Sequence, residues 1–233
     1  MRPVLLTQVV SRSRRHAAKL AEHNIETSIW PLLEIAQTVH ELPDIAFDQA
    51  ILLTSANAGQ IIADLGASRD AAILTVGDET AALMRGLGFH SVQSAGGTVD
   101  DLAALARSSR YQRFVYVRGQ DVARDLVSLI GEDRVDQCVV YTAKPSGPPP
   151  KDIEDKLVDG RFGAVSLWSR RNAEVFAEHL AANPGWQMKK TTAVAISTNA
   201  AVPLRNDRFQ RVITPPQPDS AGMLKALVDL STG

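Results

Sequence analysis

The chain has 233 residues, 45% of them hydrophobic, and its 25 lysines and arginines offset 26 acidic residues to a net charge of −1. That length and apolar content fit one large or two small packed domains. The balanced charge excludes a broad field for sequence-independent nucleic-acid binding, and one cysteine, Cys138, excludes an internal disulfide or a cysteine metal cluster.

The opening run Val4 to Thr7 predicts a strand. Arg12, Arg14 and Arg15 follow too soon for a signal-peptide core or a membrane span, so a cytoplasmic protein with no membrane partner is expected. Ala17, Leu20 and Ala21 fall at helical spacing, and a strand over Thr27 to Pro31 comes next. Leu32 to Leu42 reads as an extended connector. Gln49 to Leu53 is the following strand, with Ile61, Ile62 and Leu65 on the helix behind it. Strands over Ala72 to Val76 and Ser91 to Gln93 enclose a helix carrying Leu83 and Leu87, and Leu102, Leu105 and Ala106 mark another helix. Arg113 to Val117 and Val135 to Tyr141 enclose Leu126, Leu129 and Ile130. Cys138, among apolar neighbours, is expected to be a buried strand residue. Thr142 to Pro150 is a second connector, stiffened by its prolines. Strands over Ala164 to Leu167, Thr192 to Ile196 and Arg211 to Ile213 alternate with helices marked by Val175, Phe176 and Leu180 and by Met223, Leu224 and Leu227. Ten strands interleaved with helices predict an α/β protein of about two five-stranded parallel sheets.

A repeat runs through these elements. Ala50-Ile51-Leu52-Leu53 meets Thr54-Ser55-Ala56-Asn57-Ala58, and Ile73-Leu74-Thr75-Val76 meets Gly77-Asp78-Glu79-Thr80-Ala81. Later, Ala164-Val165-Ser166-Leu167 meets Trp168-Ser169-Arg170-Arg171-Asn172, and Ala193-Val194-Ala195-Ile196 meets Ser197-Thr198-Asn199-Ala200. Each turn places small polar residues where a strand's carboxyl end enters a helix. Unpaired N–H groups of a first helical turn attract carboxylate or phosphate there, although such residues also serve as plain N-caps. Other chemistry lacks its signature: the chain has no Gly-x-Gly-x-x-Gly or phosphate-binding loop, no Gly-x-Ser-x-Gly elbow, and no His or Cys pairs at metal-ligand spacing. No cofactor or metal is expected. His16, His23, His40, His90 and His179 are read as surface residues.

From the opening strand ending in Thr7, through the Thr54 to Ala58 and Val76 to Ala81 turns, Val117-Arg118-Gly119, Val139-Val140-Tyr141, the Ser169 and Ser197 turns and the Pro215 to Leu224 segment, the chain resembles the uroporphyrinogen-III synthase family along nearly its whole length. The resemblance implies two similar domains, each a five-stranded parallel sheet flanked by helices, joined by two extended connectors. Residues 1–36 and 146–233 would form a discontinuous terminal domain and 37–145 an inserted middle domain, with the active site in the cleft between them. It implies cyclisation of hydroxymethylbilane, a linear tetrapyrrole rich in carboxylates, to uroporphyrinogen III and water without a cofactor, by a cytoplasmic monomer. Tyr141 matches the family's Val-Tyr tyrosine and is the expected acid. Substrate contacts are expected from Thr7, Arg12, Thr54, Ser55, Ala56, Asn57, Gly77, Thr80, Arg118, Gly119, Ser169, Arg170, Arg171, Ser197, Thr198 and Asn199. The chain departs from the family pattern at Gln8, where arginine is frequent, at Ser197 and Ala200, where glycine and threonine are, and at Arg170, where proline is. A catalytically silent polycarboxylate-binding module of the same fold is the alternative.

Overall fold

The computed structural model describes residues 2–122, 124–204 and 207–232. The first part of the chain forms β1 (Val4–Leu6), α1 (Val10–Ala21), β2 (Thr27–Ile29) and β3 (Leu33–Gln37). Then come β4 (Gln49–Leu53), α2 (Ala56–Asp64), β5 (Ala72–Thr75), α3 (Asp78–Gly86), β6 (Ser91–Ser94), α4 (Val99–Ser108), β7 (Arg113–Gly119), α5 (Leu126–Ile130) and β8 (Val135–Pro145). The last part comprises α6 (Lys151–Val158), β9 (Ala164–Leu167), α7 (Arg170–Ala182), β10 (Thr192–Ala195), α8 (Thr198–Ala201), β11 (Arg211–Ile213) and α9 (Ser220–Thr232). Two compact units result: a terminal unit of Met1–Glu34 with Lys144–Gly233, and a middle unit of Ile35–Ala143.

The terminal unit holds a five-stranded sheet in the order β11-β10-β9-β1-β2, with every neighbouring pair parallel. In the middle unit the order is β3-β8-β7-β4-β5-β6, and the run from β8 to β6 is parallel throughout. Those parallel strands are the ones expected from the sequence. The added edge strand β3 falls inside the anticipated first connector, where a half-exposed Leu-Glu-Ile-Ala-Gln run gives only a faint strand signal. Helix α6 was likewise not anticipated.

The alternation along each central strand explains the layers. On β4, Ala50 and Leu52 pack with Leu102, Ala103 and Ala106 of α4 and Leu126 of α5. Its Ile51 and Leu53 face the other way, onto Ile61 and Ile62 of α2 and Met84 of α3. Burying both faces of a parallel strand requires this two-sided apolar run, and each such aliphatic side chain contributes roughly 1.5–3 kcal/mol. Similarly, Leu5, Val165 and Ala193 meet Leu157, Phe176 and Leu180 on one side of the terminal sheet. Val4, Leu6 and Val194 meet Leu20, Met223 and Leu227 on the other.

Three local expectations change. Ala81 and Met84, rather than Leu83 and Leu87, form the fully buried stripe of α3, because α2 and α3 approach so closely that a Cβ on Gly59 would stand 2.5 Å from Met84 Sδ. Cys138 lies on β8 but is only half-buried. His16 is buried rather than on the surface, with its ring stacked on Trp168 at 4.5 Å.

The strand orders also explain the repeat. Reading from β4, the middle sheet runs β4-β5-β6 to one side and β7-β8 to the other. The terminal sheet reproduces this pattern from β9, with β9-β10-β11 to one side and β1-β2 to the other. Strand β4 therefore corresponds to β9 and β7 to β1. The duplicated series begins at β9, and the chain's first two strands complete it.

Candidate functional site at the strand carboxyl ends

Ligands of open α/β sheets lie beyond the strands' carboxyl ends, at the point where strand order reverses. In the middle unit that point falls between β4 and β7, and in the terminal unit between β9 and β1. Both hold a cluster of hydrogen-bonded hydroxyls.

In the middle unit, Ser55 caps α2 and its Oγ accepts from the Asn57 N–H at 3.2 Å. Tyr141 also donates to Ser55 Oγ, at 3.1 Å. The neighbouring Thr54 Oγ1 lies 3.0 Å from the hydroxyl of Tyr116, a residue of β7 not singled out in the sequence. Two consecutive hydroxyls at the end of β4 thus each meet a phenol, one from β7 and one from β8.

A register shift aims Tyr141. Arg118 pairs with Val139, but Gly119 pairs with Tyr141, so Val140 is passed over and remains buried in the core. Bulges of this kind redirect a side chain next to a site. The Tyr141 ring then lies on Gly119, where a Cβ would stand 2.6 Å from Tyr141 Cζ. Gly119 is a seat for the ring.

Arg118 is half-buried and pinned: Nε donates to Gln137 Oε1 at 2.9 Å, and Nη1 donates to the Gly119 and Gln120 carbonyls at 2.8 Å. Burial raises the Tyr116 phenol above its ordinary pKa, against the hydrogen bond with Thr54 and, to a smaller extent, the Arg118 guanidinium, which both pull it down. Ala56 and Asn57 form the half-buried first turn of α2, which carries no acidic residue. Gly77 and Thr80 open α3, yet Asp78 and Glu79 occupy the same turn. Their carboxylates already complement that helix end and repel an incoming anion, so α2 is the better receptor of the pair.

In the terminal unit, Thr7 is fully buried. Its Oγ1 meets the Ser166 carbonyl and, at 2.9 Å, Asn172 Oδ1. Thr7 is therefore enclosed within the protein. Asn172, 4% exposed, is the hub: Oδ1 also accepts the Trp168 N–H at 3.1 Å, and Nδ2 donates to the Thr7 carbonyl at 3.1 Å. This shapes the turn into α7, capped by Ser169 Oγ accepting from the Asn172 N–H at 3.1 Å.

Arg170 and Arg171 lie exposed in the first turn of α7, where the helix dipole disfavours cations. Both pair with Glu174, and Arg170 Nη1 also donates to Asn199 Oδ1 at 3.3 Å. That last bond brings the β9 and β10 turns into one patch. Ser197 caps the short α8 by accepting from the Ala200 N–H at 3.3 Å, and Thr198 and Asn199 stand exposed beside it. Arg12 sits half-buried on α1 without a hydrogen bond or ion pair among the described residues.

The structure thus gathers Thr54, Ser55, Arg118, Gly119 and Tyr141 into one group and Ser169, Arg170 and Asn199 into another. The sequence did not reveal Tyr116 and Asn172. Their signals were present but weak: a tyrosine inside an aliphatic strand, and an asparagine three residues after a capping serine. Among the described residues, no group of three His, Cys, Asp or Glu side chains is placed to hold a metal ion.

The family model described as uroporphyrinogen-III synthase HemD matches residues 14–225. No curated protein matches the chain in sequence. Among solved structures, uroporphyrinogen-III synthetase from Helicobacter pylori is similar over 99% of this chain and 100% of its own, with a TM-score of 0.66 at 16% identity. A mutant uroporphyrinogen III synthase from the extremely thermophilic bacterium Thermus thermophilus covers 99% of both chains at 15% identity and a TM-score of 0.49. The Helicobacter likeness establishes a shared fold.

Proposed function

The chain belongs to the uroporphyrinogen-III synthase family, and we propose that its middle-unit hydroxyl cluster protonates and positions hydroxymethylbilane for closure to uroporphyrinogen III. The observation that carries this reading is Tyr141, seated on Gly119 and bonded to Ser55 where strand order reverses.

The pyrrole nitrogen's electron pair expels the terminal hydroxyl and leaves an azafulvenium cation that keeps its N–H proton. Tyr141 gives its proton to that hydroxyl, which departs as water. Ser55 then turns its own O–H toward the phenolate oxygen, exchanging the acceptor role it has in the resting site for a donor role. The substituted α-carbon of the last pyrrole ring attacks the azafulvenium methylene to form a spiro centre. The bond from that carbon to its original methylene bridge then breaks, leaving a second azafulvenium on the neighbouring ring, and the free α-carbon of the inverted ring closes on it. The proton shed as the macrocycle regains its pyrroles restores the phenol. No cofactor is required, because the substrate supplies its own electrons.

Much of the rate enhancement comes from holding a flexible chain in one conformer. The substrate's acetate and propionate groups, with pKa values near ~4, are ionised at neutral pH. Thr54, the α2 N–H groups and Arg118 take some of them; Ser169, Arg170 and Asn199 take others. Backbone donors and a few arginines suffice, which reconciles a polyanionic substrate with a net charge of −1. The reading includes a cytoplasmic monomer that uses neither nucleic acid nor a membrane. No described helix is long and apolar enough to cross one.

Purified protein given hydroxymethylbilane is expected to yield the inverted type III macrocycle; only the type I isomer at the uncatalysed rate would defeat the reading. Tyr141→Phe is expected to lower kcat by about 10²-fold with KM little changed, the lower end of general-acid contributions. Unchanged turnover would remove Tyr141 from the acid role.

A further inference from the structure

We propose that Tyr116 is a positioning residue of this site: its buried phenol donates to Thr54 Oγ1 and commits the Thr54 hydroxyl to donate to a substrate carboxylate. The inference rests on the synthase reading and assigns one of its anion contacts.

Tyr116 is 3% exposed, so its hydroxyl cannot rely on bulk water. A buried donor left unpaired is costly. Among the described residues, the hydrogen bond of its hydroxyl is to Thr54 Oγ1, at 3.0 Å. Burial also holds the phenol in its protonated form, above its ordinary pKa. The phenol's single proton is therefore placed on Thr54 Oγ1. Thr54 is left with its own proton, on a half-buried residue at the mouth of β4. A hydroxyl is ordinarily ambivalent, able to donate or accept. Here one face of Thr54 is occupied by a permanent donor, so the outward face presents hydrogen. An anion is favoured there over a group that must itself donate. The adjacent Ser55 Oγ already accepts from Asn57 N–H and Tyr141 O–H and is biased the same way at rest. Phenylalanine at 116 would fill the same core space and free Thr54 to accept as well as donate.

The test is steady-state kinetics with hydroxymethylbilane on Tyr116→Phe, Thr54→Val, Thr54→Ser and the Tyr116→Phe/Thr54→Val double variant, each with its thermal unfolding curve. Tyr116→Phe and Thr54→Val are each expected to raise KM about three- to tenfold, the scale of one hydrogen bond, with kcat within about twofold of wild type. The double variant should match Thr54→Val alone, and Thr54→Ser should retain the wild-type KM. Loss of general stability would not produce that split between KM and kcat. An active wild type whose KM is unchanged in Thr54→Val, or whose two single effects multiply, overturns the role of Tyr116 alone. A wild type that makes no type III product overturns the synthase reading and this inference with it.

Discussion

Gly119→Ala is expected to reduce kcat by at least as much as Tyr141→Phe, about 10²-fold, although it adds only one methyl group. The reason is space. A Cβ at position 119 would stand 2.6, 2.7 and 2.9 Å from Tyr141 Cζ, Cε2 and Oη. The backbone cannot simply yield, because the Gln120 N–H donates to the Tyr141 carbonyl at 2.8 Å and the register shift fixes the strand on either side. Overpacking costs typically 1–3 kcal/mol. In this case the relief open to the protein is to swing the phenol away, breaking its bond to Ser55 and removing the proposed acid from its place at the strand ends. Measuring kcat for Gly119→Ala, Tyr141→Phe and the double variant checks this. The double should be no slower than the worse single variant, since both changes delete the same group. Additive losses would mean that Gly119 serves a separate purpose, and near-normal turnover in Gly119→Ala would remove the seat altogether.

Tyr141 and Gly119 were legible in the sequence, but their relation was not. Tyr141 stood out through a motif and Gly119 through its neighbour Arg118, whereas the ring-on-glycine contact depends on a register shift between β7 and β8 that no local pattern announces. The parallel strands were readable because burial on both faces demands unbroken aliphatic runs such as Gln49-Ala50-Ile51-Leu52-Leu53. Strand β3 was not, because an edge strand buries only part of itself and Leu33 to Gln37 look like connector. Hydroxyls at the turns were readable as caps or anion receptors. Which role each plays is decided by tertiary partners: Thr7 is consumed by Ser166 and Asn172, while Thr54 is set by Tyr116. The α3 turn looked equivalent to the α2 turn in the repeat, yet Asp78 and Glu79 make it electrostatically different.

The largest loss of stability is expected from Asn172→Leu. This side chain is 4% exposed and satisfies three groups that have little access to water: the Trp168 N–H, the Thr7 carbonyl and the Thr7 hydroxyl. Leucine has similar bulk, so the deficit is polar rather than a cavity. The Thr7 hydroxyl keeps the Ser166 carbonyl and the Thr7 carbonyl keeps the Leu32 N–H, at 3.1 Å, so the Trp168 N–H is the group left without its partner. An unsatisfied buried group costs about 1–3 kcal/mol and the lost second bond to the Thr7 carbonyl about 0.5–1.5 kcal/mol, so the total is about 1.5–4.5 kcal/mol. For a protein of this size that lowers Tm by roughly 3–18 °C. Ser169→Ala provides the contrast. It removes only the cap of α7, worth about 1 kcal/mol, and should shift Tm by about 2–4 °C. Activity sharpens the distinction, because Asn172 holds the β9 turn that carries Ser169, Arg170 and the Asn199 contact. If the turn collapses with its hub, Asn172→Leu raises KM more than Ser169→Ala at temperatures where both variants remain folded. Equal Tm shifts for the two would show that the hub's hydrogen bonds are replaced by water, and that the terminal-unit turn is held by its cap.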